Sequence, residues 1–125
     1  LVTDRGTFFG YNMLVNDFHN FPIMAETGHP FCFDATHTVQ LPTSMGDISG
    51  GQREFIPYLV RAAAACCINA LFMEVHDDPP NALSDANTVL DIKYLERVLA
   101  QAKAAHELRL ELLATWGEDR VHLDD

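Results

Sequence analysis

The chain has 125 residues, one domain's worth at most, and 48% of them are apolar, so it can bury a core and not stay disordered. A formal net charge of −10 with no Lys/Arg run argues against a nucleic-acid surface, because phosphate binding relies on clustered cations. No apolar stretch approaches the roughly 18 residues of a membrane span, and the opening residues do not read as a signal peptide.

The first element is a strand stub at Leu1-Val2, with Asp4-Arg5-Gly6-Thr7 as its terminal loop. An amphipathic stretch from Tyr11 to Met24 reads as a helix interrupted near Pro22. The apolar run Pro30–Asp34 is a second strand, and it ends in the polar pair Thr36-His37. Residues 40–51, with three glycines and a proline, are expected to form neither helix nor strand. A helix follows over Gln52–Cys67, with Phe55, Leu59, Ala62, Ala63 and Cys66 on one face and Pro57 tolerated in its first turns. The run Ala70–Met73 is a third strand ending in Glu74-Val75-His76. The paired prolines of the loop Asp77–Asn87 forbid a helix at its start. The last helix begins near Asp91, with Ile92, Leu95, Val98, Leu99 and Ala102 at helical spacing and an acid-to-base order that suits its dipole. Residues 1–113 form the folded part, and 114–125 an acidic tail.

Short apolar runs of this kind fit strands buried on both faces of a parallel sheet. Polar residues stand at the strand ends at Arg5, His37 and Glu74, 32 and 37 residues apart, about one βα unit each. The pattern is βαβαβα, an α/β fold with every polar strand end on one side. In a TIM-type (β/α)8 barrel that side is catalytic, and three units are too few to close a barrel of about 200 residues or more. A Rossmann sheet has a similar alternation, but no GxGxxG is present. The chain is therefore expected to be incomplete or to need a partner that covers its open strand edges.

The side chains that can share a site are His37, Glu74 and Asp85. One imidazole and two carboxylates suit zinc, iron or manganese, although residues at strand ends are also commonly only solvated or hydrogen-bonded. His76 lies two residues beyond Glu74, as a supporting group or a loop cap. Arg5 suits bidentate binding of phosphate or carboxylate, with a surface pair to Asp4 as its alternative. His19, His29, His106 and His122 are read as surface residues. Cys32, Cys66 and Cys67 form no disulfide framework and are read as reduced, buried thiols of a cytoplasmic protein.

Five segments resemble the 3-deoxy-D-manno-octulosonate 8-phosphate synthases, in order and at family spacing over roughly residues 2–110. Asp4-Arg5-Gly6-Thr7-Phe8-Phe9-Gly10-Tyr11-Asn12 resembles their ERGTxFGYNN, and Phe33-Asp34-Ala35-Thr36-His37-Thr38-Val39-Gln40 their FDATHxxQ. Residues 46–55 are similar to the SGGxREF loop and helix start, Leu71–His76 to LFMExH, and Ala82–Asp85 to ALSD. The chain resembles the C-terminal part of that family, the last three βα units of its barrel.

The resemblance implies condensation of phosphoenolpyruvate with D-arabinose 5-phosphate and water in lipopolysaccharide (KDO) biosynthesis, by a cytoplasmic homotetramer with no nucleic-acid or membrane partner. It implies that Arg5 binds the phosphate of phosphoenolpyruvate and that His37 is both metal ligand and neighbour of that substrate. Glu74 and Asp85 would complete the ligands, His37 and Asp85 would serve catalysis, and Gln40 would support the site through water. The glycine-rich segment 43–51 resembles a lid over the substrates. Ser84-Asp85-Ala86-Asn87-Thr88 is similar to the SDAST of metal-dependent members, not to the CDGP of metal-independent ones, which stay open because the cysteine ligand of the first strand has no counterpart here. Asp4, Met13 and Asn69-Ala70 depart from the family pattern. The related 3-deoxyheptulosonate phosphate synthases and a non-catalytic fragment or half-barrel subunit are the alternatives.

Overall fold

The computed structural model describes residues 1–45 and 48–118. Among them, in chain order, are β1 (Val2–Asp4), α1 (Asn20–Ala25), β2 (Phe31–Asp34), β3 (Gln40–Met45) and β4 (Ile48–Gly51). They are followed by α2 (Ile56–Ala65), β5 (Ala70–Phe72), β6 (Val75–His76), β7 (Leu90–Asp91) and α3 (Leu95–Trp116).

The centre is a parallel sheet in the order β1-β2-β5. Val2 stands opposite Phe31, Asp4 opposite Phe33, and Asp34 opposite Phe72, so the strands end along one edge. All four residues of β2 are buried, as expected of an inner strand covered on both faces. Only Met73 and Glu74 separate β5 from β6, which pairs in parallel with β7 through Val75–Leu90 and His76–Asp91. The Leu90 amide also donates to the Glu74 carbonyl at 2.9 Å. The departure at Asn69 has a structural role. Its side-chain oxygen accepts from the Phe31 amide at 2.9 Å, and its own amide donates to the Phe31 carbonyl at 2.8 Å, which extends the sheet at its entry.

The core lies between this sheet and the helices, with Phe21, Phe31, Phe33, Ile56, Val60, Ala63, Leu90 and Val98 at its heart. Phe21 meets Phe31 edge-on at 4.9 Å between ring centroids and Phe18 at 4.7 Å. On the far side, Leu108, Leu110, Leu112 and Trp116 of α3 remain exposed. No helix among the described residues is long and apolar enough to cross a membrane.

Several expectations change. The helix expected over Tyr11–Met24 shrinks to Asn20–Ala25, with Pro22 in its first turn, where a missing N–H costs nothing. The preceding residues instead close a loop, in which Thr7 and Val15 exchange two backbone hydrogen bonds of 2.9 Å. Gly10 belongs inside that loop, because a Cβ there would lie 2.3 Å from the Met13 carbonyl oxygen. The glycine-rich stretch is a two-stranded antiparallel hairpin, β3 with β4, with Gln40 opposite Gly51; the part of the lid reading that falls on Gly46 and Asp47 lies outside the described residues. In α2 the buried residues are Ile56, Val60, Ala63 and Ala64, while Phe55 and Ala62 are exposed. A 3₁₀ turn over Arg53–Phe55 starts the helix later than expected and rotates the face. The short strand β7 was not anticipated, since two paired residues leave no periodic signal. In α3, Val98 is buried but Leu99 is half exposed, as is Ile92 in the 3₁₀ turn Ile92–Tyr94 that precedes the helix. The helix runs to Trp116, and the reading of residues 119–125 as an acidic tail lies outside the described residues.

Candidate metal centre

His37 opens a 3₁₀ turn directly after β2. Asp34, the last residue of that strand, shapes the turn. Its Oδ1 accepts from the amides of Thr36 at 3.3 Å and His37 at 3.0 Å, while Oδ2 lies 2.7 Å from Nδ1 of His37. An ionised carboxylate can only accept, so this contact puts the ring proton on Nδ1 and leaves Nε2 with a free lone pair. That nitrogen faces two more carboxylates, Glu74 at 3.7 Å and Asp85 at 4.0 Å. The His37 ring also stacks on Phe72 at 5.9 Å, which limits its rotation.

Glu74 is held by the same turn, since its amide donates to Thr36 Oγ1 at 3.1 Å. Asp85 comes from the loop after β6 and has a left-handed backbone, φ 52°. Its carbonyl accepts from the amides of Thr88 at 2.8 Å and Val89 at 2.9 Å, which fixes the loop before it enters β7. Gln40 donates to Asp85 Oδ1 at 2.7 Å and leaves Oδ2 towards His37. This contact is direct, where the resemblance implies support through water.

One donor atom each from His37, Glu74 and Asp85 lie within 4.8 Å of one another. A tetrahedral cation at about 2.1 Å from each donor needs them about 3.4 Å apart, so the three side chains would have to draw together, by up to about an ångström, to hold one. The donor set, one neutral imidazole and two carboxylates, is what such a cation needs, and Asp34 supplies the hydrogen bond that ligating histidines make through their other nitrogen. The sequence singled out His37, Glu74 and Asp85, which the fold brings together, and assigned no role to Asp34. The signal was available as an aspartate three residues before a strand-end histidine.

The remaining sequence-derived candidates lie elsewhere. Arg5 is exposed at the end of β1, with no ion pair or hydrogen bond among the described residues, so the pair with Asp4 does not form. Its loop lies beside the His37 turn. Gly6 packs against Asn16, and Asn16 Oδ1 accepts from Thr38 at 2.6 Å. The same amide buries its Nδ2 without a partner among the described residues. His76 is a loop cap, its Nδ1 accepting from the Asp78 amide at 2.9 Å. His19 is exposed and paired with Asp17, His29 is exposed, His106 is half-buried, and His122 lies outside the described residues. None of the three cysteines is in a disulfide; Cys32 is buried as expected, whereas Cys66 and Cys67 are only partly buried.

Residues 1–111 match the family model described as the DAHP synthetase I family. The chain belongs to that family. Among its curated relatives, 2-dehydro-3-deoxyphosphooctonate aldolase of Protochlamydia amoebophila is 53% identical over 108 residues, covering 86% of this chain and 39% of the relative. The protein of that name from Cyanothece sp. is 54% identical over 104 residues, 83% of this chain and 38% of the relative. That name is another for the octulosonate phosphate synthases, so the resemblance read from the motifs stands. The chain thus spans about two-fifths of the length of these DAHP synthetase I relatives. Among solved structures, the phospho-2-dehydro-3-deoxyheptonate aldolase (DAHP synthase) of Thermotoga maritima has a TM-score of 0.66 at 27% identity, over 86% of this chain and 29% of that one.

Proposed function

We propose that this chain supplies part of the active site of a synthase that condenses phosphoenolpyruvate with D-arabinose 5-phosphate and water, giving 3-deoxy-D-manno-octulosonate 8-phosphate and phosphate. The observation that carries the reading is the convergence of His37, Glu74 and Asp85 at the strand ends of a chain whose relatives bear the octulosonate enzyme's name. The whole protein is a closed (β/α)8 barrel. The exposed leucines of α3 and the open sheet edges favour such a larger fold, because a monomer this small rarely leaves so much apolar surface uncovered.

In this reading His37, Glu74 and Asp85 hold a divalent zinc, iron or manganese ion. When bound, such an ion would supply Lewis acidity to the condensation. The chain's own residues do the rest. Asp34 keeps the His37 lone pair available, and Gln40 fixes the Asp85 carboxylate. Arg5 offers an unpaired guanidinium to the phosphate of phosphoenolpyruvate, which it can grip through two parallel hydrogen bonds. The enzyme is cytoplasmic and homotetrameric, with no nucleic-acid or membrane partner.

The test supplies the remaining strands, by expressing the chain in its complete barrel, and follows phosphate release with both substrates present. Arg5→Ala should weaken phosphoenolpyruvate binding roughly tenfold or more without changing stability, because the side chain is exposed and unpaired. Phosphate release that ignores the pentose phosphate would sink this assignment and favour the heptulosonate enzyme, whose solved relative shares the fold. Turnover by the 125 residues alone would overturn the incomplete site. Metal analysis of the same protein should lose the ion with His37→Ala or Asp85→Ala and keep it with His76→Ala.

A further inference from the structure

Asp85 sits in a left-handed conformation, and contacts from outside its own loop add to the Thr88 and Val89 amides that hold it there. The contacts that do so come from the two ends of the β3–β4 hairpin. At its start, Gln40 donates to the Asp85 carboxylate at 2.7 Å. At its finish, Gly51 lies flat against the loop, where a Cβ would stand 2.4 Å from Thr88 Cγ2 and 2.6 Å from the Asn87 carbonyl oxygen. Two residues on, the Arg53 guanidinium reaches across and donates through Nη2 to the carbonyl of Ala86, the residue next to Asp85. The Gln52 amide closes the hairpin base by donating to the Val39 carbonyl at 3.0 Å, so these contacts act from one rigid base.

We propose that Arg53 is a positioning residue for Asp85. It touches neither the carboxylate nor the other two donors. It pins the Ala86–Asn87 peptide, one residue beyond Asp85, and thereby helps aim Asp85 Oδ2 at His37. The helix that begins just after Arg53 supports this role, because Ile56 and Val60 bury the start of α2 in the core and leave Arg53 little freedom to withdraw. Gly51 complements it by allowing the loop to approach closely enough for the guanidinium to reach. The proposal rests on the metal reading only for its consequence; the clamp itself is a property of the chain without any ion.

The test therefore begins without metal. In chelated buffer, amide exchange is compared between the full chain and Arg53→Ala at Thr88 and Val89, whose N–H groups donate to the Asp85 carbonyl. Exchange there should quicken roughly tenfold, while amides within α2 and α3 stay as they were. Cobalt(II) is then titrated into both proteins, and its visible absorption is followed. Arg53→Ala should bind cobalt roughly 10- to 100-fold more weakly, as supporting contacts of metal ligands typically do, and with an altered band shape. Arg53→Lys, which can still give one donor to the Ala86 carbonyl, should recover part of both effects. Arg61→Ala, on the following helix α2 and hydrogen-bonded to Gln101, should change neither. Should Arg53→Ala disturb the whole fold, Gly51→Ala repeats the exchange comparison from the other side of the contact. Unchanged exchange at Thr88 and Val89 overturns the clamp, whether or not cobalt binds. Quickened exchange in a chain that takes up no cobalt supports the clamp and counts against the metal reading alone.

Discussion

Asp34 divides its carboxylate between the backbone and the ring of His37: one oxygen accepts two amides of the turn, and the other lies 2.7 Å from Nδ1. Both groups are largely buried, so the bond is poorly screened and sets the tautomer of the imidazole. The residue that determines whether His37 can be a ligand is thus its neighbour three positions earlier.

Asp34→Asn tests this relationship. The amide must present either its oxygen or its NH2 to Nδ1. If NH2 faces the ring, the ring proton moves to Nε2 and the lone pair is lost. If the oxygen faces the ring, an NH2 group meets the amides of Thr36 and His37. Affinity for zinc or cobalt should fall roughly 10- to 100-fold, with helix content by circular dichroism unchanged. Equal affinity measured by calorimetric titration would remove Asp34 from the site.

The strand ends were legible in the sequence because buried parallel strands are short apolar runs, and Pro30–Asp34 and Ala70–Met73 stand out against polar loops. His37 and Glu74 at those ends followed from the same alternation, and Asp85, in the loop beyond, from the ALSD motif. The hairpin did not, since Gly50 and Gly51 weigh against a strand, yet here Gly51 is required by the close approach of Thr88. The loop closed by Thr7 and Val15 was hidden because its apolar residues imitate a helical face, while the pairing that forms it spans eight residues. The buried face of α2 shifted because one 3₁₀ turn, invisible to a count of 3.6 residues per turn, precedes it.

The backbone at Asp85 makes a second prediction. Asparagine tolerates the left-handed region about as well as aspartate, and its oxygen can still accept from Gln40. Asp85→Asn should therefore unfold at nearly the same urea concentration while losing most of its metal affinity. Asp85→Ala loses the side-chain bond and meets the strain directly, at a cost of about 1–2 kcal/mol. If the two variants proved equally stable by urea titration, the backbone conformation would be carrying no strain.

Cys32 provides a pH dependence. Burial pushes its thiol up from the ordinary value, and the nearby Asp34 charge pushes it in the same direction, partly offset by a hydrogen bond from Thr3. The folded state therefore holds this proton more tightly than the unfolded chain does. The resulting stabilisation is complete below the free thiol value, about pH 8.5, and is lost as pH rises through the folded value. Urea midpoints should fall as pH is raised above that point, and Cys32→Val should fall less steeply. Parallel pH profiles for the two proteins would remove the thiol as the cause.

Phe21 is the residue on which α1 depends. Six residues cannot sustain a helix by propensity alone, so α1 persists because this ring is fully buried against Phe18, Phe31 and Phe33. Phe21→Ala leaves a cavity beneath β2 and should cost about 3–5 kcal/mol, a large share of a small domain's stability. Phe21→Leu keeps most of the apolar volume and should cost clearly less. Because α1 carries the chain from the Arg5–Gly6 loop back to β2, the damage should spread in that direction. In Phe21→Ala, amides of Thr7 and Val15 should exchange faster even under conditions where α2 and α3 remain protected. A uniform loss of protection across all three helices would instead mean that α1 is part of a single cooperative unit, and that the opening loop has no independent anchor.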